Sequence, residues 1–476
     1  MAYETVIGLE IHVQMNTNTK LFCRCSNDSF NVQPNTNVCP ICMGYPGQLP
    51  ITNETAVQKG ILTGLALNCE IAHFSKFDRK QYFYPDLPSG FQISQYDQPL
   101  CGTGSIDIHR NDNSIKKIGL TRIHLENDAG KLTHTAHGTL CDYNRAGTPL
   151  MEIVSDPDMN SIEEASLYAR EVQKIVRHIG TSDADMEKGH MRFDVNISLR
   201  PEGQAELGTK VEIKNLNSFT ALEKAIEFEM KRQAEMLDNN ETIDQETRGW
   251  DDTKMQTISQ RSKEQAHDYR YFPEPDLPPI TLTKEEIDTY RTQIPELPRA
   301  KYERYISNFN LPEEDARILT EEPARAAFFE TVLTICNNPK LAVSFINTIL
   351  AKPLSDAGLS FNQSPITAEN MGKLINLVET TTVSNNQAKT EIFEAMYQTG
   401  KDPETIVKEK GIKQVTDTGA ITELCKEAIL ECPDAVTDFK AGKDKAIGAI
   451  VGKVMQKSRG QANPGMVDKT LRELLK

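Results

Sequence analysis

Apolar and polar residues alternate along three stretches in the first half of the chain, which is the pattern of strands with one buried face. In the first stretch, residues 3–15, apolar Leu9 and Ile11 alternate with polar Glu10 and His12. The same alternation recurs over residues 191–200 and 210–214. The pattern predicts a sheet with one face in a core and a second, richly charged face suited to a polar ligand.

Helical periodicity separates these strands and dominates the second half of the chain. Ser161 and Glu164 have the spacing of a capping box, and Gly180 can supply a left-handed stop to the helix that follows. A highly charged helix is predicted over residues 218–237. Beyond the proline-rich segment 294–298, the pattern predicts helices with turn-rich interruptions near 353–366 and 400–403. The predicted helices there are 322–337, 341–351, 367–379, 385–398, 419–430 and 443–457.

The order of these elements predicts an α+β protein with three domains, within the roughly two to four domains that a chain of this length allows. Residues 1–294 are predicted to form a mixed α/β domain. Residues 295–403 are predicted to form an all-α helical domain, and residues 404–476 an all-α C-terminal tail domain.

The amino-acid composition favours a globular protein over a membrane or secreted one. Apolar residues make up 38% and charged residues 25% of the chain, which suits a globular protein with a sizeable core. No run of about 18 apolar residues predicts a membrane span, and the N-terminus lacks the basic and apolar regions of a secretory signal. The cytoplasm is therefore the predicted location.

The net charge of −15 argues against nucleic acid as a partner, but the charge is unevenly distributed. Residues 440–476 contain nine basic and three acidic residues, a net charge of +6. Such a basic end can bind phosphates locally. A solvated helical end is the alternative interpretation, and charge alone does not separate the two.

Four of the ten cysteines fall within twenty residues, as Cys23-x-Cys25 and Cys39-x2-Cys42, with thirteen residues between the pairs. Two close pairs of thiolates match a tetrahedral structural zinc site, and a reducing compartment disfavours disulfides. Ordinary free thiols are the alternative. Catalysis is disfavoured because four protein ligands leave no open position for a substrate.

Three carboxylates and one imidazole form a second candidate set, Glu10, His12, Glu126 and Glu152. Carboxylates with one imidazole suit Mg²⁺ or Mn²⁺ that holds nucleotide phosphates. Spacing alone does not bring these residues together, and each could instead be solvent-facing or ion-paired.

A nucleotide would have to bind without the common phosphate-binding loops. The chain has no Gly-x4-Gly-Lys-Ser/Thr sequence, and no Gly-x-Gly-x2-Gly follows a strand. The segment 75–86 offers Lys76, Arg79 and Lys80 beside aromatic residues, a composition that can grip phosphate or a tRNA acceptor end. A packed loop with exposed basic residues is the alternative.

Eight segments together resemble the GatB protein family, whose members serve in the heterotrimeric tRNA-dependent amidotransferase. In family order they are residues 4–12, 76–86, 92–99, 126–130, 144–154, 211–219, 268–276 and 460–464. The resemblance therefore covers essentially the whole chain, and the ordered set is highly specific.

The resemblance implies a fold and a reaction. It implies a kinase-like, glutamine-synthetase-like cradle domain with the zinc site in residues 1–294, and a YqeY-like tail in residues 404–476 that contacts tRNA. It also implies that ATP phosphorylates the side-chain carboxylate of Glu-tRNA(Gln) or Asp-tRNA(Asn), and that ammonia then displaces phosphate. The sequence does not say which of the two substrates is used.

The resemblance also implies residue roles and partners. The family's metal-binding, catalytic positions match Glu10, His12, Glu126 and Glu152, with Asp194 as a weaker addition. The expected cofactors are ATP, Mg²⁺ (or Mn²⁺) and Zn²⁺, and the expected ATP-binding residues are Lys76, Arg79, Lys80 and Asp194. Because the chain has no Gly/Ser-rich amidase signature, ammonia is expected from the amidase component of the heterotrimer, with the small third component bracing the pair.

Two other functions remain open at this point. The cysteines and the basic tail alone would support a non-catalytic, zinc-stabilised RNA-binding scaffold. A stand-alone amide ligase acting on a free amino acid is the other alternative. ATP hydrolysis that depends on aminoacyl-tRNA separates the expected enzyme from both.

Overall fold

The computed structural model describes residues 2–262, 268–412, 418–458 and 462–475, and it divides into two compact units. The first unit is Met1–Pro298 and the second is Arg299–Lys476. The first carries the strands and the second is helical, so the predicted α+β fold class is confirmed. The division of the helical half at residue 403 stays a prediction.

The described residues of the first unit form fifteen strands and four helices. The strands are β1 (Tyr3–Gln14), β2 (Phe74–Ser75), β3 (Asp78–Gln81), β4 (Phe91–Ser94), β5 (Gly104–His109), β6 (Ile115–Asn127), β7 (Lys131–Thr135), β8 (Gly138–Asp142), β9 (Pro149–Ser155), β10 (Met191–Pro201), β11 (Val211–Leu216), β12 (Glu246–Asp251), β13 (Gln256–Ser262), β14 (Phe272–Pro273) and β15 (Ile280–Thr281). The helices are α1 (Glu54–Ala66), α2 (Ile162–His178), α3 (Phe219–Asp238) and α4 (Lys284–Thr292).

Eight strands form the main sheet, in the order β13-β12-β11-β10-β1-β9-β6-β5. Neighbours are antiparallel except β11 and β12, which are parallel. A smaller sheet, β14-β3-β4, lies against the main one through contacts of β4 with β6. The hairpin β7–β8 is a separate two-stranded sheet in the connection between β6 and β9.

Alternation along the central strands fixes which face is apolar. Leu9 and Ile11 of β1 and Phe193 and Val195 of β10 are buried in one core, which the helices α1, α2 and α3 cover. The predicted alternation is therefore confirmed. The polar residues between these positions project from the other face of the sheet, because successive side chains of a strand point to opposite faces.

Phe193 provides a test of this core. Its ring is fully buried and packs 5.4 Å from the Phe219 ring of α3, measured between ring centroids. We expect Phe193→Ala to lower the free energy of unfolding of the first unit by about 3–5 kcal/mol. The sole tryptophan, Trp250, lies in β12, so its fluorescence during urea unfolding reports on this unit. The control is Phe83→Ala, whose ring is 88% exposed and whose loss should cost less than about 0.5 kcal/mol.

The helix α2 begins as predicted, with one difference. The Ser161 side chain accepts from the Glu164 backbone N–H, but the Glu164 carboxylate accepts from the N–H of Asn160 instead of Ser161. The same carboxylate also pairs with Lys116 at 2.8 Å, which draws it away from the reciprocal bond. Gly180 has φ +70°, the left-handed conformation that was predicted to end the helix.

The second unit contains thirteen described α-helices, counting the helix that begins at the unit boundary. They are α5 (Pro298–Phe309), α6 (Glu313–Glu321), α7 (Pro323–Leu333), α8 (Pro339–Ser344), α9 (Ala351–Asp356), α10 (Ala368–Glu379), α11 (Asn385–Gln387), α12 (Phe393–Thr399), α13 (Pro403–Lys410), α14 (Thr418–Glu431), α15 (Pro433–Lys440), α16 (Ile447–Lys457) and α17 (Pro464–Leu474).

The six predicted helices of this unit all occur, but two of them are interrupted by wider turns. A π-helix at Phe345–Leu350 joins α8 to α9, and another at Ala388–Ile392 joins α11 to α12. The helical segment that contains the first π-turn runs to Asp356, so the interruption predicted from residue 353 starts too early. Pro353 lies inside this continuous segment, three residues after the π-turn ends at Leu350.

Two apolar clusters stabilise the second unit. One joins residues from Tyr305 to Ile412, and the other joins residues from Ile421 to Leu475. In the second cluster α14 packs against α16 and α17. None of the helices in the described part of the chain combines the length and apolar character needed to cross a membrane.

Candidate active site

Four neighbouring strands each contribute one polar side chain to a single row across the main sheet. His12 of β1 lies opposite Arg192 of β10 on one side and opposite Glu152 of β9 on the other. Glu152 in turn lies opposite His124 of β6. The register of the strands thus brings together residues that are more than a hundred positions apart in the sequence.

Glu126 and Asp194 join this row because each is two positions along its strand, on the same face. His12 Nδ1 is 3.9 Å from Glu126 Oε1 and 3.8 Å from Glu152 Oε2. On its other side, His12 Nε2 is 3.6 Å from Asp194 Oδ2. One ligand atom each from His12, Glu126 and Glu152 lie within 4.8 Å of one another, and Glu10, His12 and Asp194 form a second such group. We call the five residues of these two groups the carboxylate–imidazole cluster.

The cluster is buried, which differs from the open charged face expected from alternation alone. His12 is 8%, Glu126 3% and Glu152 7% exposed. Part of the cover comes from the small sheet, where the Ser94 hydroxyl of β4 donates to Glu126 at 3.3 Å. Alternation reveals that a face is polar, but it does not reveal which loops or small sheets lie over that face.

Electrostatics couples the members of the cluster. Burial favours a neutral His12 ring, but the adjacent Asp194 and Glu152 carboxylates raise its pKa above the ordinary value. Burial would raise the pKa of Glu126, but His124 and the Lys80 ammonium lower it well below its usual range. Lys80 and Lys214 therefore balance part of the negative charge that the cluster holds.

The donor set fits a divalent cation. His12 Nδ1 is buried and has no hydrogen-bond partner within the described residues, although it faces two carboxylates. A buried nitrogen without a partner costs free energy unless something else satisfies it. Two carboxylate oxygens and one imidazole nitrogen at these separations are suited to Mg²⁺ or Mn²⁺, with room for further oxygen ligands.

The three basic residues expected to bind ATP lie in different surroundings. Lys76 pairs with Asp78 at 2.5 Å and with Asp97 at 2.6 Å. Arg79 forms a two-point pair with Glu274, at 2.7 and 2.9 Å, and lies 4.4 Å from the Phe91 ring centroid.

Lys80 differs from these two residues because its ammonium lies near two carboxylates of the carboxylate–imidazole cluster, Glu126 and Glu152. Strand alternation turns it away from Arg79, and its ammonium lies 4.9 Å from the Tyr269 ring centroid. Burial would lower the pKa of Lys80, but the charges of Glu126 and Glu152 raise it. Of the three basic residues, Lys80 is therefore the one that lies near the carboxylates of the cluster.

Three residues of the site were not singled out from the sequence. His124 Nε2 is 3.5 Å from Glu152 Oε2, and Arg192 is adjacent to His12. Lys214 pairs with Asp194 at 3.2 Å. A usable signal existed for His124 and Arg192, because they share strand parity with Glu126 and Asp194, which were selected from the sequence.

The four cysteines predicted to bind zinc form a compact group. The sulfur atoms of Cys23, Cys25, Cys39 and Cys42 lie within 4.8 Å of one another. The Cys42 sulfur accepts from the Cys39 backbone N–H at 3.2 Å. A hydrogen bond from the Cys23 thiol, opposed by burial, lowers the pKa of Cys42 to about 5. Four sulfurs at this spacing fit a tetrahedral thiolate site for Zn²⁺.

Two local features hold the second cysteine pair in place. Gly44 has φ +65°, and a Cβ there would lie 2.9 Å from the Ser89 Cα, so glycine is required both by conformation and by space. Lys20 is fully buried, with its ammonium 2.9 Å from the Asn37 carbonyl oxygen and 3.7 Å from the Cys42 sulfur. A buried ammonium beside this group offsets part of the charge that four thiolates would carry.

Comparison with known proteins identifies the family. A profile described as the GatB/GatE catalytic domain matches residues 5–288, and one described as the GatB domain matches residues 327–475. The chain therefore belongs to the GatB/GatE family, and the resemblance found in the sequence is confirmed.

Individual relatives match over their full length. The chain is 50% identical to the B subunit of the aspartyl/glutamyl-tRNA(Asn/Gln) amidotransferase of Persephonella marina, over 100% of both chains. It is 50% identical to the protein of the same name from Caldicellulosiruptor saccharolyticus, over 100% of this chain and 99% of the relative. Identity to the Carboxydothermus hydrogenoformans protein of that name is 48%, over 99% of each chain.

Proposed function

We propose that the chain acts as the GatB component of an aspartyl/glutamyl-tRNA(Asn/Gln) amidotransferase. In this role it uses ATP to phosphorylate the side-chain carboxylate of misacylated Glu-tRNA(Gln) or Asp-tRNA(Asn), and the activated carboxyl group is then amidated by ammonia. The observation that carries the proposal is the buried carboxylate–imidazole cluster, which lies within the residues that match the catalytic domain of the family.

The chemistry explains why ATP is required. Ammonia cannot displace an oxide ion from a carboxylate, because oxide is too poor a leaving group. Transfer of the terminal phosphoryl group to a carboxylate oxygen gives an acyl phosphate, and attack by ammonia on that carbonyl carbon then releases phosphate. Enzymes that transfer phosphoryl groups act mainly by positioning the reactants and stabilising charge, and a cluster of buried charged groups is suited to this work.

We assign His12, Glu126 and Glu152 as ligands of Mg²⁺ or Mn²⁺, with Glu10 and Asp194 next to them. The metal ion, when bound, supplies positive charge for the oxygens of the transferring phosphoryl group. Glu10 is itself held by a hydrogen bond from the Asn196 amide at 2.9 Å, and Asp194 by one from the Asn215 backbone N–H at 2.8 Å.

Nucleotide binding is assigned to Lys76, Arg79, Lys80 and Asp194. The proximity of Lys80 to Glu126 and Glu152 supports its part in the proposal. Lys76 and Arg79 would have to exchange their present carboxylate partners for phosphate. Arg79 lines a cavity of about 310 Å³ beside Cys23 and Cys42, away from the Lys80 side of β3.

The cysteine group is assigned to structural Zn²⁺, and ammonia to a partner. The proposed partners are the amidase component of the heterotrimer, which would release ammonia from glutamine, and the small third component. The proposed domains are the cradle catalytic domain at 1–294, the helical domain at 295–403 and the YqeY-like tail at 404–476.

Reconstitution tests the proposal directly. The chain would be co-purified with the neighbouring amidase and small components and assayed with glutamine, ATP and charged tRNA. We expect Gln-tRNA(Gln) or Asn-tRNA(Asn) to form, together with phosphate release that depends on the charged tRNA. An RNA-binding scaffold would bind tRNA without ATP hydrolysis, and a free amino-acid ligase would hydrolyse ATP without tRNA.

The ion pairs of the tail refine its proposed role in tRNA binding. Lys453 pairs with Glu431 at 3.2 Å, Lys457 with Glu427 at 2.7 Å, and Arg472 with Asp444. Glu427 and Glu431 precede residue 440, so these pairs reduce the positive charge available from the C-terminal segment. Residues 459–461 and 476, which include two of the basic residues and part of the motif 460–464, lie outside the described residues.

Exposed lysines of the tail test this role. Among the described residues no ion pair involves Lys445 or Lys469, and both are exposed. We expect the double variant Lys445→Gln/Lys469→Gln to raise the KM for tRNA and to reduce the slope of log affinity against log salt by about 1.8. Lys224→Gln/Lys231→Gln, on the helix α3 that covers the apolar face of the sheet, is the charge-matched control.

The salt dependence of tRNA binding by the double variant tests whether these two lysines contact phosphate. An unchanged slope of log affinity against log salt would exclude such contact. Deleting residues 440–476 is a poorer test. That deletion would remove α16 and α17, whose packing against α14 buries Ile421 and Ala428.

A further inference from the structure

Arg192 introduces a positive charge beside the carboxylate–imidazole cluster. It lies on β10 directly opposite His12. Its side chain is 23% exposed. Lys214, by comparison, is paired with two carboxylates, Asp194 at 3.2 Å and Glu212 at 2.9 Å.

A single carboxylate orients the Arg192 guanidinium. Within the described residues its only ion pair is with Asp128, whose Oδ1 lies 3.5 Å from an Arg192 nitrogen. Asp128 is fixed from other directions, because its Oδ1 accepts from the Ala129 backbone N–H at 2.9 Å and its Oδ2 lies 3.4 Å from Arg145 Nε. A guanidinium has five N–H donors, so this one long ion pair leaves most of them available to a ligand.

The remaining charges of the cluster define what that ligand must be. The cluster side chains are carboxylates and an imidazole, which favour cations. Positively charged groups of the protein favour an anion that enters here, and the planar fork of an arginine matches the oxygens of a phosphoryl or carboxylate group. Arg192 therefore has the position and the free donors to receive such a group.

We propose that Arg192 binds the non-bridging oxygens of the phosphoryl group that is transferred, an inference that rests on the proposed function. In the transfer, the bond from phosphorus to the departing ADP oxygen breaks with its electron pair going to ADP, and a bond from phosphorus to the substrate carboxylate oxygen forms. The non-bridging oxygens keep their negative charge throughout. Arg192 can therefore hold them in ATP, in the transition state and in the acyl phosphate.

The substrate carboxylate presents the same chemistry as the phosphoryl group, so the experiment must separate the two. The test compares Arg192→Gln and Arg192→Lys in the complex reconstituted with its partner proteins. The measurements are the KM values for ATP and for charged tRNA, and the inhibition constant of ADP. Because ADP lacks the terminal phosphoryl group, loss of a contact to that group weakens ATP binding and leaves ADP binding nearly unchanged.

We expect Arg192→Gln to raise the KM for ATP about tenfold to a hundredfold, the effect of losing hydrogen bonds from a charged donor, and to abolish the preference for ATP over ADP. Arg192→Lys should recover part of that preference, because it keeps the charge but loses the planar fork. The KM for charged tRNA should change little in both variants.

Arg200→Gln is the matched control. Arg200 lies on the same strand and the same face, is also 23% exposed, and pairs with Glu4 at 2.9 Å. It is about 26 Å from Arg192 along the strand, at roughly 3.3 Å per residue. We expect its ATP and ADP constants to match those of the unmodified chain.

Three results would overturn the proposal. The first is an ATP preference of Arg192→Gln within about twofold of the unmodified chain, a shift too small for loss of a charged contact. The second is an effect confined to the KM for charged tRNA, which would assign Arg192 to the substrate carboxylate. The third is an equal effect of Arg200→Gln. If Arg192→Gln does not fold, Arg192→Lys tests the proposal instead, through the ratio of its ADP inhibition constant to its KM for ATP. Failure of the proposed function would look different, since the unmodified complex itself would then lack tRNA-dependent ATP hydrolysis.

Discussion

Glu126→Gln and Glu152→Gln are each expected to lower tRNA-dependent ATP hydrolysis by roughly a hundredfold to a thousandfold, the range for loss of one group that stabilises transition-state charge. Each substitution removes a negative oxygen from the group around His12 Nδ1 while preserving the shape of the side chain. The fold should survive, because glutamine has nearly the shape of glutamate and the apolar core on the other face of the sheet is unchanged. Release of the terminal phosphate is the measurement, with thermal melting as the check on folding.

Glu4→Gln is the control for this pair. Glu4 lies on β1, on the same face as Glu10, but is paired with Arg200 outside the cluster, so its loss should leave turnover unchanged. Glutamine hydrolysis by the partner amidase should persist in all three variants. Near-normal phosphate release from well-folded Glu126→Gln and Glu152→Gln proteins would falsify the metal assignment.

The second large effect is expected at the cysteine group. Cys39→Ser removes one of four sulfurs that lie within 4.8 Å of one another, and a three-sulfur site should lose its Zn²⁺. The buried Lys20 would then lie beside a group that no longer holds a metal, and the loop around Gly44 would lose its cross-link. We expect zinc to fall from about one ion per chain to nearly none, with a lower melting temperature or insoluble protein.

Cys141→Ser is the matched control, because Cys141 has similar exposure and lies outside the group. Any soluble Cys39→Ser protein should retain its catalytic constants if the zinc is purely structural. Metal analysis and melting curves that are the same for Cys39→Ser, Cys141→Ser and the unmodified chain would contradict a zinc site.

Features that depend on nearby residues were predictable from the sequence. The alternation of Leu9 and Ile11 with Glu10 and His12 identifies β1 and both of its faces. The close spacing of Cys23 with Cys25 and of Cys39 with Cys42 indicates that the two cysteines of a pair can bind one metal ion. That both pairs bind the same ion was an inference from chemistry. Local patterns suffice for such features because turns and strand periodicity involve only a few residues.

Features that depend on strand register could not be predicted in this way. Nothing in the sequence near Glu152 specifies that β9 lies between β1 and β6, yet this order gives Glu152 two histidine neighbours. Strand parity marks His124 and Arg192 as polar-face residues, but their positions beside Glu152 and His12 come from the neighbouring strands. The π-turn at Phe345–Leu350 was missed because its apolar residues fit an ordinary helical period.

The chain between Glu126 and Glu152 includes the hairpin β7–β8 and the start of β9. These two segments differ in how they tolerate changes in length. Deletion of one residue inside β9 would move Met151 or Ile153 into the position of Glu152, because a one-residue slip exchanges the two faces of a strand. Asn35 binds the base of the hairpin at Cys141 and Asp142, but the tip at residues 136–137 is exposed, so the tip can be lengthened without shifting either flanking strand. This tip is therefore a place to insert a peptide tag or a fluorophore attachment site while leaving the register of the strands that carry the cluster intact.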